Sequence, residues 1–193
     1  MCLYPQFILN RKYLPNKKNG GQPPLCVDER VKYVPVGCGK CVECAKQKQR
    51  NWQIRLLEEI KERKDGQFIT LTFSNEQFKN LVEGKNTKGR KICKPPEEKG
   101  YELDNWIAKT AVRRFLERWR KKYKRSVRHW LVTELGHQGT ENIHLHGIIF
   151  TDKSKEEIDK VWEYGYTWNE SEKRKVGEDT VNYIIKYIGK NIS

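Results

Sequence analysis

The sequence predicts an α+β fold: a central antiparallel sheet with flanking helices and a cysteine-rich extension at the N-terminal end. Three observations lead there. Short segments rich in β-branched and aromatic residues, with alternating polarity, occur at 68–73, 128–135 and 143–150. Longer stretches with apolar residues at helical spacing lie around them. The second and third strands are separated only by Gly136-His137-Gln138-Gly139-Thr140 and its flanks, a connection short enough to require a hairpin.

Taken in order, residues 1–37 read as an irregular arm with a flexible tract over 16–24, and a cysteine cluster follows at 38–44. The pattern turns helical over about 41–64, where Trp52, Leu56, Leu57 and Ile60 share one side. In Phe68-Ile69-Thr70-Leu71-Thr72-Phe73 the alternation sends Ile69, Leu71 and Phe73 toward helices, and Thr70 and Thr72 toward a more polar side. Residues 74–102, with Pro95-Pro96, read as a long loop. A helix over 103–124 places Ala108, Ala111, Phe115, Trp119 and Tyr123 on one face. After the hairpin come a short helix at 154–163, a strand near 165–168 and a last helix from about 179, giving the order β-α-β-β-α-β-α without internal repeat. The expected division is an N-terminal part, 1–66, packed on a core of 67–193.

Only 36% of the 193 residues are hydrophobic, so the six Trp, nine Tyr and six Phe must supply most of the core volume. Lys and Arg number 39 against 25 Asp and Glu, a net charge of +14 that attracts polyanions. No apolar run approaches the ~20 residues that span a bilayer, and the N-terminus lacks a signal-peptide core. Nucleic acid is therefore the expected partner, with no membrane association, and the cytoplasm the expected location. There six cysteines stay reduced and available to metal. The basic face of helix 103–124, with Arg113, Arg114, Arg118 and Lys121, is the candidate DNA-contact surface; for any one of these residues a solvated helix face is an equally ordinary reading.

Two constellations carry chemistry. His144 and His146 alternate in one strand, so both imidazoles leave the same face and can bind one ion. If the hairpin is symmetric about Gly139, Glu134 lies directly across from His144, with Cβ atoms ~5 Å apart. Two imidazoles and a carboxylate suit a divalent Lewis acid, Mg2+ or Mn2+, with positions left for phosphate oxygens; Glu141 and His137 compete for the third place. In the last helix Tyr183 and Tyr187 stand four residues apart on one face, with Lys186 adjoining. A phenol ionises near pH ~10, so a nucleophilic tyrosine gains from a neighbouring ammonium. Packing of tyrosines into a core explains the same pattern without chemistry. Separately, Cys38, Cys41 and Cys44 can wrap one soft metal, with Cys2 or Cys26 as a fourth ligand to structural zinc. An iron–sulfur cluster and plain reduced cysteines fit the spacing too.

These residues converge on a family. Met1-Cys2, Cys38-Gly39-Lys40-Cys41-Val42-Glu43-Cys44 leading into Trp52, Phe68-Ile69-Thr70-Leu71-Thr72, Glu134-Leu135-Gly136, His144-Leu145-His146-Gly147 and Tyr183-Ile184-Ile185-Lys186-Tyr187 follow one another along almost the whole chain. In this the chain resembles the His-hydrophobic-His (HUH) rolling-circle replication initiators, most closely those of microvirus (gokushovirus-like) single-stranded DNA phages. The resemblance implies a palm-like sheet of RRM or ferredoxin type bearing the metal histidines. It further implies nicking of single-stranded DNA at an origin, a 5′-phosphotyrosine link and a free 3′-OH, in a bacterial host cytoplasm beside the host replication machinery. It favours Cys2 as the fourth thiolate and Tyr183 as the first nucleophile, Tyr187 serving for a second attack. The chain also ends soon after Lys190, as in a trimmed domain or a short member. A non-catalytic zinc-containing nucleic-acid-binding module and a single-strand transposase of the same chemistry are the alternatives.

Overall fold

The computed structural model describes residues 2–97, 99–135, 143–169 and 176–190, with backbone alone at 187–190. The chain forms two compact units, residues 1–52 and 53–188.

In the first unit, the arm is more regular than its composition suggests. Strand β1 (Gln6–Leu9) pairs antiparallel with β2 (Tyr33–Val36), Gln6 opposite Val36 and Leu9 opposite Tyr33. Between them run three single-turn 3-10 segments, Arg11–Tyr13, Lys17–Asn19 and Glu29–Val31. Each follows an Asn or Asp whose side chain accepts the backbone N–H two residues on: Asn10, Asn16 and Asp28. Such side chains imitate a backbone turn and organise a segment that has no apolar pattern. None of residues 2–52 is buried. Helix α1 (Val42–Glu62) begins in this unit and ends in the second.

The second unit is α+β. Its sheet, in the order β4-β5-β3-β6, is antiparallel throughout: β3 is Gly66–Leu71, β4 Arg128–Glu134, β5 His144–Phe150 and β6 Thr167–Asn169. Residues alternate across it. One face presents Ile69, Leu71, Leu145 and Ile149, which form a buried cluster with Ile107, Ala108, Ala111, Phe115 and Trp119 of α3 (Tyr101–Tyr123). Ile158, Val161 and Trp162 of α4 (Lys155–Trp162) join the same cluster. Trp162 also donates its indole N–H to the Thr72 carbonyl at 2.8 Å, so its polar atom is satisfied within the core.

The opposite face carries Phe68 and Thr70 of β3, Val132 and Glu134 of β4, and His144, His146 and Ile148 of β5. Phe68, Ile148 and Phe150 are buried outside the main cluster, as are Leu56 of α1 and Val181, Ile184 and Ile185 of α5 (Glu178–Lys190). A bond of 2.7 Å from Gln53 Nε2 to Asn182 Oδ1 ties the C-terminal half of α1 to α5. The sheet is therefore covered on both sides, thickly by α3 and α4 and thinly by α1 and α5.

Two features depart from the sequence expectation. The stretch read as a loop, 74–102, opens with helix α2 (Asn75–Val82), capped by Ser74 accepting from the Gln77 N–H at 3.3 Å and anchored by buried Leu81. Eight residues give too few apolar positions to establish a period, although Ser74 followed by Gln77 is a capping signature. The second concerns Arg118. Its guanidinium donates to the carbonyls of Val161 (2.7 Å) and Trp162 (2.5 Å) and lies 4.9 Å from the Tyr164 ring centre. It thus satisfies carbonyls at the C-terminal end of α4, where the helix leaves them unpaired and where a cation is favoured.

Candidate active site

The site grows from the β4–β5 ladder. Glu134 pairs with His144 and Val132 with His146, so the carboxylate and the two imidazoles leave one face within a single strand-to-strand step. Glu134 Oε2 lies 3.1 Å from His146 Nε2 and 3.6 Å from His144 Nε2. One ligand atom from each of the three lies within 4.8 Å of the others. The side chains of Glu134, His146 and His144 are 11%, 12% and 22% exposed, so the site is walled but reachable, His144 being its open side.

Gly147 is what lets the ladder close here. A Cβ at this position would lie 1.8 Å from the Trp130 carbonyl oxygen and 2.9 Å from the Leu131 Cα. Both are backbone atoms of β4, so no side-chain rotation relieves the clash. The glycine following His146 is a condition for bringing Glu134 to its partners.

His146 is oriented from β3. Thr70 Oγ1 lies 2.8 Å from its Nδ1, and the two residues are directly paired in the sheet. With the proton on Nδ1 the ring donates to Thr70 and directs the Nε2 lone pair toward Glu134, the arrangement that metal-binding imidazoles use. Phe68, two residues back on the same face, stacks against His146 with ring centres 6.3 Å apart and planes 6° from parallel. The other side of Phe68 meets the tyrosine helix: Tyr183 contacts it edge-on at 5.8 Å. Tyr183 is 43% exposed and Lys186 is exposed. The side chain of Tyr187 lies outside the described residues, as do His137 and Glu141.

The expected DNA-contact residues of α3 are on the other layer. Arg113 and Lys121 are exposed and Arg114 is half-buried, but α3 packs on the sheet face opposite His144 and His146. On the face of the metal-ligand candidates, sequence reasoning missed Trp168. It pairs with Thr70 on edge strand β6 and is 65% exposed. Its neighbour on the same strand parity, Tyr166, is also exposed. An aromatic pair on a short edge strand carries no motif, and only the sheet order reveals its position.

In the first unit the structure gathers Cys2, Cys38, Cys41 and Cys44, whose sulfurs all lie within 4.8 Å of one another. Cys26 is apart, donating to the Asp28 carbonyl. The N–H groups of Leu3 and Cys44 hold the Cys41 thiol down to about 6. Cys44 is pushed up to about 12, because the Gly39 N–H that favours its thiolate is outweighed by hydrogen bonding among the thiols and by desolvation.

An antiparallel sheet that carries a His-His-carboxylate group on one face, beside a helix with an exposed tyrosine, defines an α+β protein with a candidate metal centre. No helix among the described residues is long and apolar enough to cross a membrane. The sequence profile of the replication-associated protein ORF2 family matches residues 66–192, more than half of the chain. The chain belongs to that family, and is a replication-associated protein. Neither the curated proteins nor the solved structures contain a match to it.

Proposed function

We propose that the protein is an HUH-type initiator that nicks single-stranded DNA at a replication origin by metal-assisted tyrosine transesterification. The observation that carries this reading is the row Tyr183–Phe68–His146, which puts an exposed phenol and a metal-ligand candidate against the same ring.

In this reading Tyr183 Oη attacks the scissile phosphorus. A Tyr–O–P bond forms and the P–O3′ bond breaks. The phenolic proton passes to solvent and the departing 3′ oxygen takes up a proton, leaving a 5′-phosphotyrosine and a free 3′-OH. Lys186, three residues on, favours the phenolate and offsets charge on the phosphoryl group. Glu134, His144 and His146 would hold one divalent cation, Mg2+ or Mn2+, which supplies Lewis-acid polarisation of a phosphate oxygen. Thr70 keeps the His146 tautomer that such binding needs. Trp168 offers a face on which a base can stack, a contact blind to sequence and suited to a single strand. Tyr187 takes a second, strand-joining attack. Origin replication in a microvirus-like phage, in the bacterial cytoplasm with host replication proteins, is the setting that the motifs favour.

The test is a denaturing gel with labelled single-stranded origin DNA and Mg2+ or Mn2+. Wild-type protein is expected to form a covalent adduct that maps to Tyr183. Tyr183→Phe keeps the ring and its packing but removes the oxygen, and should form none, while His146→Ala should bind DNA without cutting it. An adduct undiminished in Tyr183→Phe sinks the assignment.

A further inference from the structure

We propose that Cys2, Cys38, Cys41 and Cys44 bind a single zinc ion, and that this ion organises the N-terminal unit. The inference is independent of the nicking reaction.

The first support is distance. Cys2 and Cys41 sulfurs are 3.7 Å apart, and those of Cys38 and Cys44 are 4.0 Å apart. A tetrahedron with Zn–S bonds of ~2.3 Å puts its sulfurs about 3.8 Å from one another. A disulfide would bring a pair to ~2.05 Å. An iron–sulfur cluster distributes its thiolates over several irons and spreads them further than one ion does. The spacing is that of four ligands around one centre.

The second support is how the backbone serves the sulfurs. The Cys38 N–H points to Cys2 Sγ at 3.3 Å and the Cys41 N–H to Cys38 Sγ at 3.4 Å. Such donors spread the negative charge that thiolate ligands bring to a divalent ion. Gly39, at φ +77°, turns the chain between Cys38 and Cys41 in a conformation that side chains disfavour. At Gly37 a Cβ would approach Cys44 Sγ to 3.0 Å. The loop is shaped around its sulfurs on both sides.

The third support is what the unit lacks. No side chain of residues 2–52 is buried, and the β1–β2 ribbon has only four residues a strand. A two-stranded ribbon without a core is marginal in water, and chains of this size fold when a metal or disulfides replace the core. The four cysteines come from the start of the chain, from the end of β2 and from the first turn of α1, so one ion ties together all the ends of the ribbon.

Elemental analysis and native mass spectrometry of the full chain test this. A single zinc is expected per chain, retained in Cys26→Ser, Cys93→Ser and His144→Ala/His146→Ala, and lost in Cys38→Ser and Cys44→Ser. On the wild-type protein, Co2+ exchanged for zinc should give the intense visible bands of tetrahedral cobalt–thiolate. Chelation should open residues 1–52 to protease while 53–188 stay resistant. Iron with sulfide, disulfides among these cysteines, absence of metal, or zinc that follows the histidines rather than the cysteines would each overturn the proposal. None of these readouts depends on DNA cleavage, so failure of the nuclease reading leaves the zinc result standing, and the reverse.

Discussion

The two units place their candidate metal ligands by opposite means. In residues 53–188 the ligands hang on a hydrogen-bonded ladder backed by Ile69, Leu71, Phe115, Trp119 and Trp162, all buried. That core exists without any ion, and an ion entering it finds the donors already gathered. In residues 2–52 nothing is buried, and four sulfurs from distant points of the unit meet where no apolar packing holds them. The contrast teaches that a site can be a product of the fold or a condition for it, and that core content separates the cases.

The largest effect that probes this contrast is expected from Trp119→Ala. Truncating a fully buried tryptophan should cost about 3–5 kcal/mol of stability in the second unit. Calorimetry should show its transition lowered while the metal content of residues 1–52 stays constant. Zinc lost together with that transition would show that the units fold as one body. Smaller and more local is Thr70→Val, which keeps the strand's shape but removes the hydroxyl beside His146 Nδ1. Metal affinity should fall ~10–100-fold, with Thr70→Ser close to wild type. Titration of adduct yield against Mn2+ reads this directly, and an unchanged midpoint would remove Thr70 from the site. Smallest is Trp168→Ala. Loss of one stacked base is worth about 1–3 kcal/mol, so single-stranded DNA affinity should weaken ~5- to 150-fold with no change in melting temperature. Equal weakening for Trp168→Ala and for a variant on α3 such as Arg113→Ala would spread binding over both faces.

What could be read from the sequence was what depends on neighbours in the chain. The strand 143–150 and the helix 103–124 declare themselves by period, and counting back across Gly139 gives the Glu134–His144 pairing found in the ladder. Contacts between distant segments were hidden. Thr70 was assigned its polar side, but its bond to His146 spans 76 residues. Arg118 looked like any solvated cation on a basic helix, because the carbonyls it serves lie 43 and 44 residues on. The β1–β2 ribbon went unread because its strands are exposed and its connection is shaped by Asn and Asp side chains rather than by apolar alternation.

Phe68 has a consequence for how the second unit tolerates its surroundings. Its ring touches His146 on one side and Tyr183 on the other, through ring-to-ring contact in both cases. It is a spacer of fixed thickness between a group that coordinates and a group that reacts. A shim made of hydrocarbon does not titrate and is not screened by salt. The gap it sets between the two side chains therefore persists through changes of acidity and ionic strength that loosen every charged contact around it.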